Sequence, residues 1–109
     1  MALYMTTAKL SNEAFKGYVE NPLDREAALQ KLTGGLGMTM HKMHFSVSTA
    51  EIVTIAEGTA DAMAAAEMVI GSSGTTTGVE VIELIDSKSM TAAMETANKV
   101  VSAYQAPNK

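Results

Sequence analysis

Cysteine and tryptophan are absent from this sequence, proline occurs only twice, and aromatic residues make up 5% of it. Without cysteine the chain has neither a disulfide framework nor a thiolate nucleophile. Its only sulfur is in nine methionines, whose thioethers fill irregular apolar space. Disulfide-stapled scaffolds and thiol catalysis are therefore excluded, and we predict a cytoplasmic protein.

Basic residues are also few. The chain carries eight basic residues against twelve acidic ones, a formal net charge of -4, without any run of like charge. Proteins that bind nucleic acids neutralise phosphates with clustered lysine and arginine. We therefore expect no nucleic acid among the partners of this chain.

Long hydrophobic runs are lacking as well. No stretch of the sequence approaches the roughly 18 consecutive apolar residues of a membrane-spanning helix. The N-terminus has neither the basic start nor the unbroken apolar core of a signal peptide. We expect no membrane partner and no processing of the N-terminus.

The residues that are present suffice for one hydrophobic core, since the chain has 109 residues and 47% of them are hydrophobic. We predict a single domain over residues 1–104. Residues 105–109 are polar and contain a proline, so we predict a flexible tail there.

Strand and helix signals alternate along the first half of the chain. Residues 2–9 are predicted to form a strand, and Ser11 is predicted to cap the helix that follows. Asn21-Pro22 interrupts that helix, because proline lacks the amide that a continuing helix would use. Asn21 is then predicted to cap a second helix, with Pro22 in its first turn.

The second half begins with a predicted hairpin over residues 38–57, with its turn at residues 48–50. A helix is predicted from Thr59, and residues 79–85 form a β-branched run typical of a strand. The chain then ends in another helix, capped by Ser87 or Ser89. Apolar residues at three-and-four spacing predict that this helix buries one face, which comprises Met90, Ala93, Met94, Ala97, Val101 and Tyr104.

This order predicts an α+β protein with a ferredoxin-like βαββαβ antiparallel sheet and an additional C-terminal helix. The first and third strands would be central. Helices on one face only would leave a second set of apolar strand residues exposed to water. We therefore predict a homodimer that forms through the open sheet face, the self-complementary solution that a two-fold axis provides.

One continuous segment, residues 21–58, reads NPLDREAALQKLTGGLGMTMHKMHFSVSTAEIVTIAEG. Its Asn-Pro-x-Asp-Arg helix start, its Lys-Leu followed by glycines and its strand register resemble the GYD-domain family of small bacterial and archaeal proteins. The resemblance extends from the first strand to about residue 86. It implies a dimeric ferredoxin-like fold of the α+β barrel type, in a family without an assigned general function.

The Gly-x-Tyr-Asp motif of that family would fall on Ser48, Thr49, Ala50 and Glu51. The glycine and the tyrosine are absent here, and Glu51 is one methylene longer than the aspartate. A role that the family gives to its tyrosine therefore does not transfer to Ala50.

The two histidines are the first candidates for chemistry. His41 and His44 are three apart on a predicted strand, so they should project to opposite faces and should not share a metal ion. We expect no metal site and no cofactor. His41 would share a face with Met43, Phe45 and Val47, either as a structural histidine with a hydrogen-bond partner, which we favour, or as an acid or base.

Tyr4 and Glu51 are weaker candidates for ligand binding. Tyr4 has a hydroxyl that could reach a cleft between sheet and helices, although packing of its ring is the more ordinary role. Glu51 opens the third strand, where an acid commonly satisfies local donors. The glycine-rich segments TGGLG and GSSGTTTG lack the spacing and the lysine of nucleotide-binding loops.

Two functional hypotheses remain open at this point. The first is a non-catalytic dimer that binds a small, largely apolar ligand or serves as an interaction module. The second is a cofactor-independent enzyme, by analogy with dimeric α+β barrel monooxygenases and isomerases, that uses His41 with Tyr4 or Glu51 in a cavity between sheet and helices. No motif in the sequence identifies a ligand, a substrate or a reaction.

Overall fold

The computed structural model describes residues 1–108 and shows four strands, four α-helices and a 3₁₀ turn. Lys109, the last residue of the predicted tail, lies outside the described residues. The elements, in chain order, are β1 (Ala2–Leu10), α1 (Asn12–Glu20), α2 (Arg25–Gly35), β2 (Thr39–Ser46), β3 (Glu51–Gly58), α3 (Ala60–Ser72), β4 (Thr76–Leu84), α4 (Ser87–Val100) and the turn Val101–Ala103.

All four strands join one antiparallel sheet in the order β2-β3-β1-β4. The ferredoxin-like arrangement is therefore confirmed, with β1 and β3 in the centre as predicted. Within the described residues, no helix is both long enough and apolar enough to cross a membrane.

Each α-helix begins at a side chain that accepts a backbone N–H, which satisfies a donor that the first turn would leave free. Ser11 accepts from the amide of Ala14 at 3.2 Å, as predicted for α1. Thr59 accepts from the amide of Ala62 at 3.1 Å and begins α3.

Two predicted caps were wrong, because an aspartate takes the place of the residue proposed. In α2 the cap is Asp24 instead of Asn21, and its carboxylate accepts from the amide of Glu26 at 3.0 Å. In α4 the cap is Asp86, which precedes both predicted serines and accepts from the amide of Ser89 at 2.7 Å. A carboxylate is the stronger acceptor for an N–H and also favours the positive end of the helix dipole.

One face of the sheet packs against helices and forms the core. The register places Tyr4 opposite Ala56 on the central strands, and both belong to a buried cluster with Met38, Met63 and Ala66. Since side chains alternate along a strand, the odd-numbered residues of β3 lie on the other face, which we call the open face.

A β-bulge in β2 changes the predicted distribution of its side chains. The register shifts between Met40 and Lys42, so that His41 is an extra residue in the ladder. Met40 and Met43 consequently lie on the same, helix-covered side and are both buried. The prediction that His41 shares a face with Met43 was wrong, because a bulge restarts the alternation one residue later.

Helix α4 does not bury a face against the rest of the chain, contrary to the prediction. Every residue from 85 to 105 is exposed, and Met94 in the middle of the apolar stripe is 58% exposed. The chain spans 61 × 32 × 22 Å with a radius of gyration of 18.2 Å, against about 13 Å for a compact domain of 100 residues.

Candidate functional site

A cavity of about 230 Å³ lies between the sheet and the helices. Its sheet side includes short side chains of the two central strands together with larger ones such as Met40 and Val79, and its helix side is formed mainly by residues of α2 and α3. Representative lining residues are Ala8, Thr54 and Ala56 from the sheet, and Leu29, Leu32 and Ile70 from the helices.

Small residues at the centre of the sheet explain why this space is open. Thr6 lies directly opposite Thr54, and Ala8 lies opposite Ile52. Alanine and threonine cannot reach the helix layer as larger aliphatic side chains would, and protein interiors otherwise fill such space to near-crystalline density. The cavity is a consequence of residue size on two neighbouring strands.

The lining is mostly apolar, with few polar groups free to meet a ligand. The hydroxyl of Thr33 lines the cavity, but it already donates to carbonyl oxygens of its own helix, Leu29 at 3.1 Å and Gln30 at 3.2 Å. Apolar walls with a few polar groups are the usual character of small-molecule sites. This arrangement can hold an apolar body.

Arg25 is the one basic residue that lines the cavity within the described chain. Its guanidinium lies over the ring of Tyr18, 5.7 Å from the ring centroid. Tyr18 in turn meets Phe45 edge to face, with 6.1 Å between ring centroids. From the sequence, Arg25 was assigned only to the start of a helix. Its position beside the cavity was not predicted, because no local signal in the sequence indicates that position.

The ring of His41 lies on the open face, outside the cavity. Its Nε2 atom is 3.3 Å from Oε1 of Glu57, and the two side chains are 44% and 42% exposed. Both line a shallow surface cleft near the base of α4, together with Leu3 and Asp86. The contact is an ion pair when the imidazole is protonated and a hydrogen bond when the ring donates its N–H.

The two histidines share one face, which corrects the prediction that they point in opposite directions. His44 pairs with Val53 on the open face, and the ring of His41 contacts Glu57, which belongs to the same alternating set on β3. The bulge at His41 accounts for the change. Among residues 1–108, however, no group of three or more histidine or acidic side chains is placed to hold a metal ion.

The three residues predicted as candidates do not converge. Tyr4 is 8% exposed in the cluster under the helices, on the face opposite to His41. Glu51 pairs with Ser46 at the far end of β3, six residues or about 20 Å from Glu57. The residue that contacts His41 is Glu57. This contact could not be predicted from the sequence, because it depends on the bulge.

The hairpin turn, where the degraded motif falls, has an unusual backbone. Ala50 adopts a φ of 55°, a left-handed conformation that costs a residue with a Cβ free energy. Its carbonyl accepts the amide of Leu10 at 3.0 Å, which fixes the turn against β1. Thr49 donates its hydroxyl to that of Ser46 at 2.6 Å. The turn is thus held by local hydrogen bonds and presents a methyl group at the position of the motif tyrosine.

Comparison with known proteins agrees with this architecture. The model of the GYD domain matches residues 4–94. The crystal structure of protein Atu4242 from Agrobacterium tumefaciens is similar with a TM-score of 0.50 and 18% identity, and covers 80% of this chain and 94% of that one. No curated protein matches the sequence.

Proposed function

Because this chain belongs to the GYD-domain family, in which no general activity is assigned, we propose from its own geometry that it is a homodimer that binds a small, largely apolar molecule. The observation that carries the proposal is the cavity between sheet and helices. Its walls come from α2, α3 and the central strands, so the elements that build the fold also build the site.

The dimer is supported by two apolar surfaces that the described residues leave wholly or partly exposed. The first is the open face, where Met5 lies between Ile55 and Ile82 in the sheet register. The second is the stripe of α4, which includes Met90 and Met94. An isolated helix of this length is marginal in water, so a second copy that covers the stripe accounts for its formation.

The ligand proposal can be tested with a variant that fills the cavity. Ala66 lines it, whereas Ala64 lies exposed on the same helix, α3. We expect Ala66→Leu to displace a molecule that native mass spectrometry detects on the purified protein, and Ala64→Leu to retain it. Circular dichroism would verify that both variants fold. Equal retention in both would overturn the assignment of the cavity as the binding site.

A second candidate function follows from the contact of His41 with Glu57. A carboxylate that holds an imidazole in one orientation is a frequent arrangement in general acid and base catalysis, and both groups face a cleft that a ligand can enter. The enzyme hypothesis therefore rests on this pair; Tyr4 and Glu51 are too distant to take part.

The two functions differ in the fate of the bound molecule. The ligand identified by mass spectrometry can be incubated with the wild-type protein in air and analysed for products. A binding protein returns it unchanged. An enzyme of the monooxygenase or isomerase type converts a molecule that enters the cleft of His41, which lies outside the cavity, so conversion should be lost in His41→Gln and should persist in Ala66→Leu.

A further inference from the structure

We propose that the molecule bound in the cavity carries a carboxylate and that Arg25 binds it. This inference rests on the proposed function, because it names the chemical class of the ligand of the same cavity.

The Nε atom of Arg25 is buried and has no hydrogen-bond partner. A buried N–H without an acceptor costs about 1 to 3 kcal/mol, and more when the group is charged. Within residues 1–108, no carboxylate lies within 4 Å of this guanidinium, since the contact of His41 with Glu57 is the only such pair. Among the described residues, Nε of Arg25 therefore has no acceptor and the guanidinium has no counter-ion within 4 Å.

Aromatic stacking holds the guanidinium in place without satisfying its donors. The central carbon of the guanidinium lies 5.7 Å from the ring centroid of Tyr18, a cation–π contact in which the ring offers no strong acceptor to the N–H groups of the arginine. Phe45 supports Tyr18 from β2. A guanidinium, whose Nε is unpaired in this structure, is the group that binds a carboxylate through two parallel hydrogen bonds.

The other charged groups near this site do not neutralise Arg25. Glu67 of α3 also lines the cavity, but it forms no ion pair with the arginine among the described residues. Asp24, the preceding residue, is engaged as the cap of α2. A bound carboxylate is consequently favoured on the side of α1 and α2, with the apolar body of the ligand toward α3 and the sheet.

The size of the cavity limits the ligand. About 230 Å³ corresponds to seven or eight molecules of water at roughly 30 Å³ each, which is below the range of about 300 to 1,000 Å³ typical of sites for drug-sized ligands. Medium-chain aliphatic acids and small aromatic acids fit this space.

The experiment compares octanoate with octanamide, which has nearly the same shape and no charge, by isothermal titration calorimetry on the full-length protein. We expect octanoate to bind at least tenfold more tightly. Arg25→Gln should remove that preference, and Arg25→Lys should retain part of it. Lys31→Gln is the matched control, because Lys31 is an exposed cation of the same helix and should leave the preference unchanged.

Each alternative outcome contradicts a different part of the proposal. Equal binding of octanoate and octanamide to the wild type would overturn the carboxylate and leave the apolar cavity standing as a ligand site. A preference that persists in Arg25→Gln, with a normal circular dichroism spectrum, would overturn the role of Arg25. Binding of neither compound would overturn this inference, whereas the proposed function is decided separately by the retention of a ligand in Ala66→Leu and Ala64→Leu.

Discussion

At the scale of single residues, close approach between main chain and side chain limits which substitutions a position tolerates. Hydropathy does not reveal this limit. Gly58 ends β3 under the buried side chain of Met38. A Cβ built at position 58 would lie 2.7 Å from Cγ of Met38 and 3.2 Å from its methyl carbon. Because Cγ lies near the main chain, rotation of the end of the methionine would not remove the clash.

We predict that Gly58→Ala lowers the free energy of unfolding by about 1 to 2 kcal/mol. Overpacking of a core costs about 1 to 3 kcal/mol, and the reduced freedom of the unfolded chain offsets part of this. Chemical denaturation monitored by circular dichroism would measure the change.

Gly17 supplies the control for this substitution. It lies inside α1, and a Cβ there would meet nothing within 4 Å. Alanine in a helix interior is favoured over glycine by up to about 1 kcal/mol, so Gly17→Ala should be neutral or stabilising. Equal destabilisation by the two changes would contradict the clash as the cause.

At the scale of elements, the start of α4 depends on a single carboxylate. The amide and the hydroxyl of Ser89 both hydrogen-bond to Asp86 and lower the pKa of that carboxyl below its ordinary value. A group whose pKa is lower in the folded state stabilises that state above its unfolded pKa, and the contribution disappears as pH falls through the folded pKa.

We therefore predict that the first turn of α4 loosens only below the ordinary aspartate range, which is centred near pH 3.9. Amide chemical shifts of Ser89 and Met90, measured by NMR during an acid titration, would report the transition. In Asp86→Asn, where the cap remains but cannot titrate, these shifts should no longer follow that transition. A midpoint at or above the ordinary value in the wild type would be inconsistent with the cap seen here.

The same elements show what could be predicted from the sequence. The order of strands and helices and the central position of β1 and β3 followed from periodicity and turn residues. The caps at Asp24 and Asp86 did not, because several capping residues compete within a few positions and only geometry selects one. The bulge could not be predicted, because the alternation of residues around His41 is compatible with a regular strand and with a bulged one.

The candidate site was less predictable than the fold. The cavity depends on the distance between small side chains of two strands and two helices. It also depends on the contact between Arg25 and Tyr18, two residues that are separated in the sequence by a helix boundary. Periodicity within one segment contains no information about such contacts. The amphipathic pattern of α4 likewise indicated a face to be buried but not the chain that buries it.

At the scale of the whole molecule, the exposed stripe of α4 makes assembly the central question. We predict that the wild type sediments as a dimer at micromolar concentration. Met90→Glu combined with Met94→Glu should raise the dimer dissociation constant at least about a hundredfold, because full burial of each methionine contributes about 1.5 to 3 kcal/mol. Analytical ultracentrifugation over a concentration series would measure this.

The control places the same charges on the other side of the helix. Ala92→Glu combined with Thr96→Glu adds two acids outside the apolar stripe, at the same spacing, and should leave the dissociation constant nearly unchanged. A wild type that remains monomeric at micromolar concentration, or a dimer that is indifferent to both pairs, would show that a second copy does not cover α4.

The bulge at His41 has a further consequence for how this protein can vary. Met40 and Met43 face the helices because one extra residue lies between them in the ladder. A strand without that residue would bring the two methionines to the same side by simple alternation. The packing of the core thus does not require a histidine at position 41. Residue 41 can therefore serve a role other than stabilising the fold.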